Sequence, residues 1–128
     1  MPGVSKGAAG EILAARFLRK NGYDIWSANF KSRFGEIDII AVKKPYIAFV
    51  EVKSRLEDSL FAPREAVTLE KQRKIIKCAA IYLKNKCIDL QPRFDVIEVI
   101  TKSNRPLETA EISHIKGAFE AGELHAAF

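Results

Sequence analysis

The chain has 128 residues, 48% hydrophobic and 29% charged, with a net charge of +5 and a pI near 9.3. These figures fit one globular α/β-sized domain spanning residues 1–128 and large enough to bury an ordinary core, and the basic balance admits a polyanionic partner without requiring one. No apolar run approaches the ~18 residues of a membrane-spanning helix, and the first six residues lack the apolar centre of a secretory signal. Cys78 and Cys87 show neither metal nor disulfide spacing, which fits a reduced, cytoplasmic protein without a membrane partner.

Ser5 to Asn21 reads as a helix, with Ala8, Ile12 and Ala15 on one side and Leu13 and Phe17 spaced by four on a neighbouring strip. Ser5 fits the N-cap and Gly22 the C-terminal stop, whereas Gly7 and Gly10 weaken the start of the helix. Tyr23 to Asn29 reads as a strand, with Tyr23 and Trp26 as packing residues, and Phe30 to Phe34 as a basic turn carrying Lys31 and Arg33. Two further strands follow, Glu36–Val42 and Tyr46–Lys53, joined by Lys43-Lys44-Pro45.

Arg55 to Pro63 reads as a polar loop. Thr68 to Lys86 has the clearest helical period: Ile75, Cys78, Ala79, Tyr82 and Leu83 fall on one buried face. Arg93 to Ile100 is another strand. Ala110 to Ser113 reads as a short strand and the region around Ala118 as a helical tail. The order is αβββαβ plus a tail. A helix linking the third and fourth strands implies a crossover and parallel pairing, so the sheet is mixed and flanked by helices.

The hairpin carries charge where a core strand should have none. Side chains alternate along a strand, so Glu36, Asp38, Ile40 and Val42 share a face, as do Ile47, Phe49, Glu51 and Lys53. Folding about the Lys-Lys-Pro turn sets Val42 opposite Ile47 and Ile40 opposite Phe49. The same register sets Asp38 opposite Glu51 and Glu36 opposite Lys53. Opposed carboxylates with Cβ atoms ~5 Å apart repel, and a divalent cation held by both offsets that repulsion. Carboxylate oxygens are hard donors suited to Mg²⁺ or Mn²⁺. Lys53, beside Glu51, suits phosphate charge or a water nucleophile, and Glu11 is a fourth candidate if its helix turns it inward. The set suits phosphodiester hydrolysis. Glu36 opposite Lys53 is also the pattern of a plain cross-strand ion pair, and spacing alone leaves both readings open.

Gly35-Glu36-Ile37-Asp38-Ile39-Ile40-Ala41 and Phe49-Val50-Glu51-Val52-Lys53-Ser54-Arg55 resemble the corresponding segments of the YraN family of small bacterial proteins. Further matches are Gly7 with Glu11 and Ala14-Ala15, Asn21-Gly22-Tyr23, Asn29, Lys71, Arg93-Phe94-Asp95-Val96, His114-Ile115 and Ala118-Phe119, so the resemblance covers nearly the whole chain. That family is similar to the PD-(D/E)XK nuclease superfamily and, within it, to archaeal Holliday-junction resolvases. The resemblance implies a restriction-endonuclease-like αβββαβ core with a metal-dependent site acting on DNA, including branched DNA. It makes Asp38 the motif aspartate, Glu51 and Lys53 the (D/E)XK pair, Glu11 the acidic residue of the first helix, and the Val52 carbonyl a further metal ligand. Ile37 stands where the motif has proline. A homodimer is implied by resemblance only.

Lys31, Arg33, Arg55, Arg64, Lys71, Arg73 and Lys74 are candidates for a sequence-blind phosphate-tracking surface, with Arg55 and Lys71 foremost. His114 reads as structural. The alternative to a nuclease is a nucleic-acid-binding protein without catalysis, and a third reading is a protein-interaction role.

Overall fold

A computed structural model of the protein describes residues 6–57, 67–102 and 105–122. Helix α1 (Lys6–Lys20) leads into β1 (Asp24–Ser32), β2 (Gly35–Lys43) and β3 (Tyr46–Leu56). Helix α2 (Leu69–Lys86), β4 (Gln91–Thr101), a single 3-10 turn (Leu107–Thr109) and β5 (Glu111–Phe119) follow. The strands form one sheet in sequence order. All neighbours are antiparallel except β3 and β4, which are parallel across the α2 connection. This is the mixed α/β sheet with an αβββαβ core that the hydrophobic periods predict, extended by β5. No described helix is long and apolar enough to cross a membrane.

The sheet is buried on both faces, which is why β2, β3 and β4 are nearly continuous apolar runs. On one face, Ala14 and Leu18 of α1 and Tyr23 pack on Ile39, Ala41, Ala48, Val50, Ile97 and Val99. On the other, the α2 stripe of Ile75, Cys78, Ala79, Tyr82 and Leu83 packs on Ile40, Val42, Ile47, Phe49, Phe94 and Val96. Thr68 caps α2: its side chain accepts from the Lys71 amide at 3.2 Å. Gly22 ends α1 at φ 87, a conformation that costs glycine little. The Gly22 stop lies where the sequence signal puts it, Thr68 is the cap and not the first residue of its helix, and the N-cap expected at Ser5 lies outside the described residues.

Three expectations need correction. Strand β3 runs to Leu56 because it pairs with β4 over its whole length, through Leu56↔Thr101. The remainder of the expected polar loop, with Arg64, lies outside the described residues. The tail around Ala118 is not helical but the end of β5, with Phe94↔Phe119 as its last pair. A long-range group holds it there. Asp95 is fully buried and accepts from Arg93 Nε at 2.9 Å, Arg93 Nη2 at 2.8 Å, His114 Nε2 at 2.8 Å and the Gly117 amide at 3.0 Å. Gly117 has φ 61 and lies where the β4–β5 register shifts. Trp26, expected to pack, sits where the β1–β2 register shifts and is 46% exposed.

Burial alone would raise the Asp95 pKa, but the bonds from His114, Arg93 and Gly117 outweigh it and hold the carboxyl below its ordinary value. Its contribution to stability is therefore present above the unfolded carboxylate pKa and is lost as pH falls through the folded one. Asp95→Ala strands Arg93 and His114 and should cost about 3–5 kcal/mol in urea unfolding at neutral pH. A loss below about 1 kcal/mol would show that the network is not what fixes β5.

Candidate active site at the open end of the hairpin

The β2–β3 ladder runs from Lys43↔Tyr46 through Val42↔Ile47 and Ile40↔Phe49, as the turn predicts, and ends at Ile39↔Val50. Beyond it a side chain takes the place of the next backbone bond: the Val52 amide donates to Asp38 Oδ2 at 2.8 Å. Asp38 and Glu51 are therefore not a ladder pair, and Glu36 pairs with Lys31 of β1 instead of Lys53. Asn29 has φ 55 in mid-strand, between the pairs Ala28↔Ile39 and Phe30↔Ile37. Ile37 then packs in the same layer as Ile40 and Val42, so the two-residue alternation slips at Asp38. A left-handed non-glycine residue inside a strand is costly and occurs where surrounding structure imposes it.

The split gathers groups from three elements. Glu51 of β3 is only 5% exposed. Lys71, from the first turn of α2, places Nζ 2.6 Å from Glu51 Oε1, and Lys53 places its own 3.7 Å from the same oxygen. From α1, Glu11 lines a cavity of about 320 Å³ together with Asn29 and Asp38. Glycine at position 10 permits that approach, because a Cβ there would come 2.5 Å from Ser54 Oγ of β3. Glu11 Oε1 is buried and has no hydrogen-bond partner among the described residues.

The electrostatics follow from burial and crowding. Burial first, then the charge of Glu51, push the Asp38 carboxyl up to about 7 against the pull of the Val52 amide. Burial, Glu36 and Glu51 raise Glu11, with Asn29 opposing. Burial and neighbouring Lys71 lower Lys53, against the attraction of Glu51 and Asp38. Lys71 is raised, because its bond to Glu51 outweighs its own burial. Perturbed groups of both signs converging in one cleft mark a functional site more often than a structural one.

Asp38, Glu51, Lys53, Glu11, Val52 and Lys71 thus come together. Arg33 and Arg55 do not join them. Arg33 is exposed on the β1–β2 turn, its guanidinium 4.9 Å from the centre of the Phe34 ring. Arg55 Nε donates to buried Glu98 at 2.5 Å, and its Nη1 reaches the Leu56 carbonyl at 3.3 Å. Sequence reasoning missed the role of Asn29. The available signal was an asparagine, the residue after glycine that best tolerates positive φ, within an apparent strand.

The five-stranded mixed sheet with its two helices makes this an α/β domain whose αβββαβ core is consistent with a nuclease-like fold. Residues 10–99 match the uncharacterised protein family UPF0102, and the chain belongs to that family, the one indicated above as YraN. It is 50% identical over 116 residues to the UPF0102 protein of Acetivibrio thermocellus, covering 88% of this chain and 89% of that one. It is 45% identical over 114 residues to the UPF0102 protein of Caldanaerobacter subterraneus, covering 88% and 93%. The UPF0102 protein of Clostridium perfringens strain SM101 is 47% identical over 118 residues, covering 90% and 93%.

Because the folded-state pKa of Asp38 is raised, its ionisation opposes folding as pH rises from about 4 to about 7. Asp38→Asn keeps an oxygen for the Val52 amide and removes the charge. It should stabilise the protein by about 1–2 kcal/mol more at pH 8 than at pH 4. Urea unfolding at the two pH values tests this. An equal effect at both would show that Asp38 does not titrate in this window.

Proposed function

We propose that the protein is a Mg²⁺- or Mn²⁺-dependent nuclease that hydrolyses DNA phosphodiesters, with branched DNA as the preferred form. The observation that carries the reading is the convergence of Asp38, Glu51 and Lys53 where the hairpin splits. The residues fit a hard divalent cation. Asp38 and Glu51 offer carboxylates at the split, the Val52 carbonyl is adjacent, and the unpartnered oxygen of Glu11 can act through water. Among the described residues no three of His, Cys, Asp and Glu form a ready cage. Mg²⁺ ordinarily takes one or two carboxylates and keeps several waters.

When bound, such a cation polarises a phosphoryl oxygen and lowers the pKa of an attacking water. The chain supplies the rest. Asp38 is held in place by the Val52 amide, and Glu51 by the pairing of its strand with β4 at Glu51↔Val96. Lys53, on the same strand as Glu51 and with its pKa lowered by burial and by Lys71, would assist the attacking water and hold a phosphate oxygen. Lys31 near the end of β1, Arg33 on the β1–β2 turn, and Arg73 and Lys74 on α2 are exposed cations for the backbone on either side. A homodimer, which would suit a two-fold junction, belongs to the same proposal.

One observation favours a second reading, a nucleic-acid-binding protein without catalysis: Glu51 already has two ammonium partners. Incubation with duplex, flap, single-stranded and four-way-junction DNA in Mg²⁺ and Mn²⁺ separates the two. The nuclease reading expects metal-dependent cleavage that Glu51→Ala lowers at least ~100-fold. Cleavage equal in wild type and Glu51→Ala, or DNA binding unaffected by EDTA with no cleavage, contradicts it.

A further inference from the structure

Glu51 and Lys71 are matched in position but not in exposure. The Glu51 side chain is 6% exposed, whereas the Lys71 side chain is 43% exposed and still brings Nζ to 2.6 Å from Oε1. Lys71 therefore enters from the solvent side and stands over the mouth of the site. Lys53 approaches the same oxygen at 3.7 Å from the strand that carries Glu51 itself. A buried carboxylate without a counter-charge is costly, so one lysine on Glu51 is expected in any case. The second, closer and on a flexible four-carbon stem, is what needs a reason.

The position of Lys71 provides one. Its backbone is fixed by the Thr68 cap and the first turn of α2, so the ammonium can leave Glu51 without any backbone movement. An ammonium 2.6 Å from Oε1 occupies the approach that a cation bound to that oxygen would need. A divalent cation on that oxygen would be repelled by the Lys71 ammonium at such short range.

We propose that Lys71 is a tethered stand-in cation on Glu51, so that a divalent ion enters this site by exchange: its arrival expels Lys71 Nζ to the mouth, where the freed ammonium meets a phosphate oxygen of the substrate. This rests on the cation-site reading above and adds how the site is loaded. The protein stays charge-compensated when empty, and the cation and an anionic substrate assist one another's binding. No covalent bond changes in the exchange.

The test is Mn²⁺ affinity measured without DNA, by titration calorimetry and by the loss of the free-Mn²⁺ electron paramagnetic resonance signal. Lys71→Met keeps the length of the stem and removes the competitor. It should bind Mn²⁺ about 10-fold tighter than wild type. Lys71→Gln provides a second neutral variant should the first fold poorly. Lys71→Arg retains a competitor and should stay near wild type. Arg73→Met, which removes a neighbouring charge not bonded to Glu51, should change the affinity less than about 2-fold. Binding that is equal in wild type, Lys71→Met and Lys71→Gln, or equally tightened by Arg73→Met, overturns the exchange and leaves the cation site standing. No binding by wild type or either neutral variant overturns both.

Discussion

The bond from the Val52 amide to the Asp38 carboxylate decides what the centre of this molecule can be. It ends the β2–β3 ladder one pair beyond Ile39↔Val50, so a side chain occupies the place where strand would otherwise meet strand. On the turn side of that point the hairpin is ordinary core, with Ile40, Val42, Ile47 and Phe49 packed under α2. On the far side the strands part, and the gap admits Glu11 from one helix layer and Lys71 from the other. A continuous ladder would have closed the sheet between them.

The arrangement is expensive in stability, and the expense is local. Three carboxylates crowd near one another, burial works against two of them, and a buried oxygen of Glu11 has no hydrogen-bond partner among the described residues. Asn29 holds a left-handed conformation opposite Asp38. Asp95 offers a comparison within the same chain. It is the same kind of group and more deeply buried, yet its four hydrogen bonds leave it below its ordinary pKa while Asp38 is pushed up to about 7. One carboxylate is satisfied and ties β5 to β4. The other accepts a single hydrogen bond among the described residues. That contrast separates a carboxylate that serves the fold from one in a candidate site.

Much of this was legible in the residues. The α2 stripe and the Gly22 stop depend on local periods and local chemistry, and they fell where expected. The hairpin register held near the turn, because the turn pins it there. It failed at Asp38, where extrapolation assumed that the alternation continues past Asn29. The end of β5 failed for a different reason. Gly117 and Ala118 carry little strand signal, and Asp95, more than twenty residues earlier in the chain, holds that segment in the sheet. The partners of the site lysines were likewise beyond reach of spacing: nothing local says that Lys71 reaches Glu51 or that Arg55 is taken by Glu98.

The account rests on the split hairpin being a cation site, and diffraction from a crystal soaked in Mn²⁺ tests that most directly. The account predicts an anomalous peak between the carboxylates of Asp38 and Glu51, within about 2.0–2.3 Å of an oxygen of each. Lys71 Nζ should then lie away from Glu51. A soaked crystal in which Lys71 Nζ and Lys53 Nζ remain on Glu51, with no peak at the split, would contradict it.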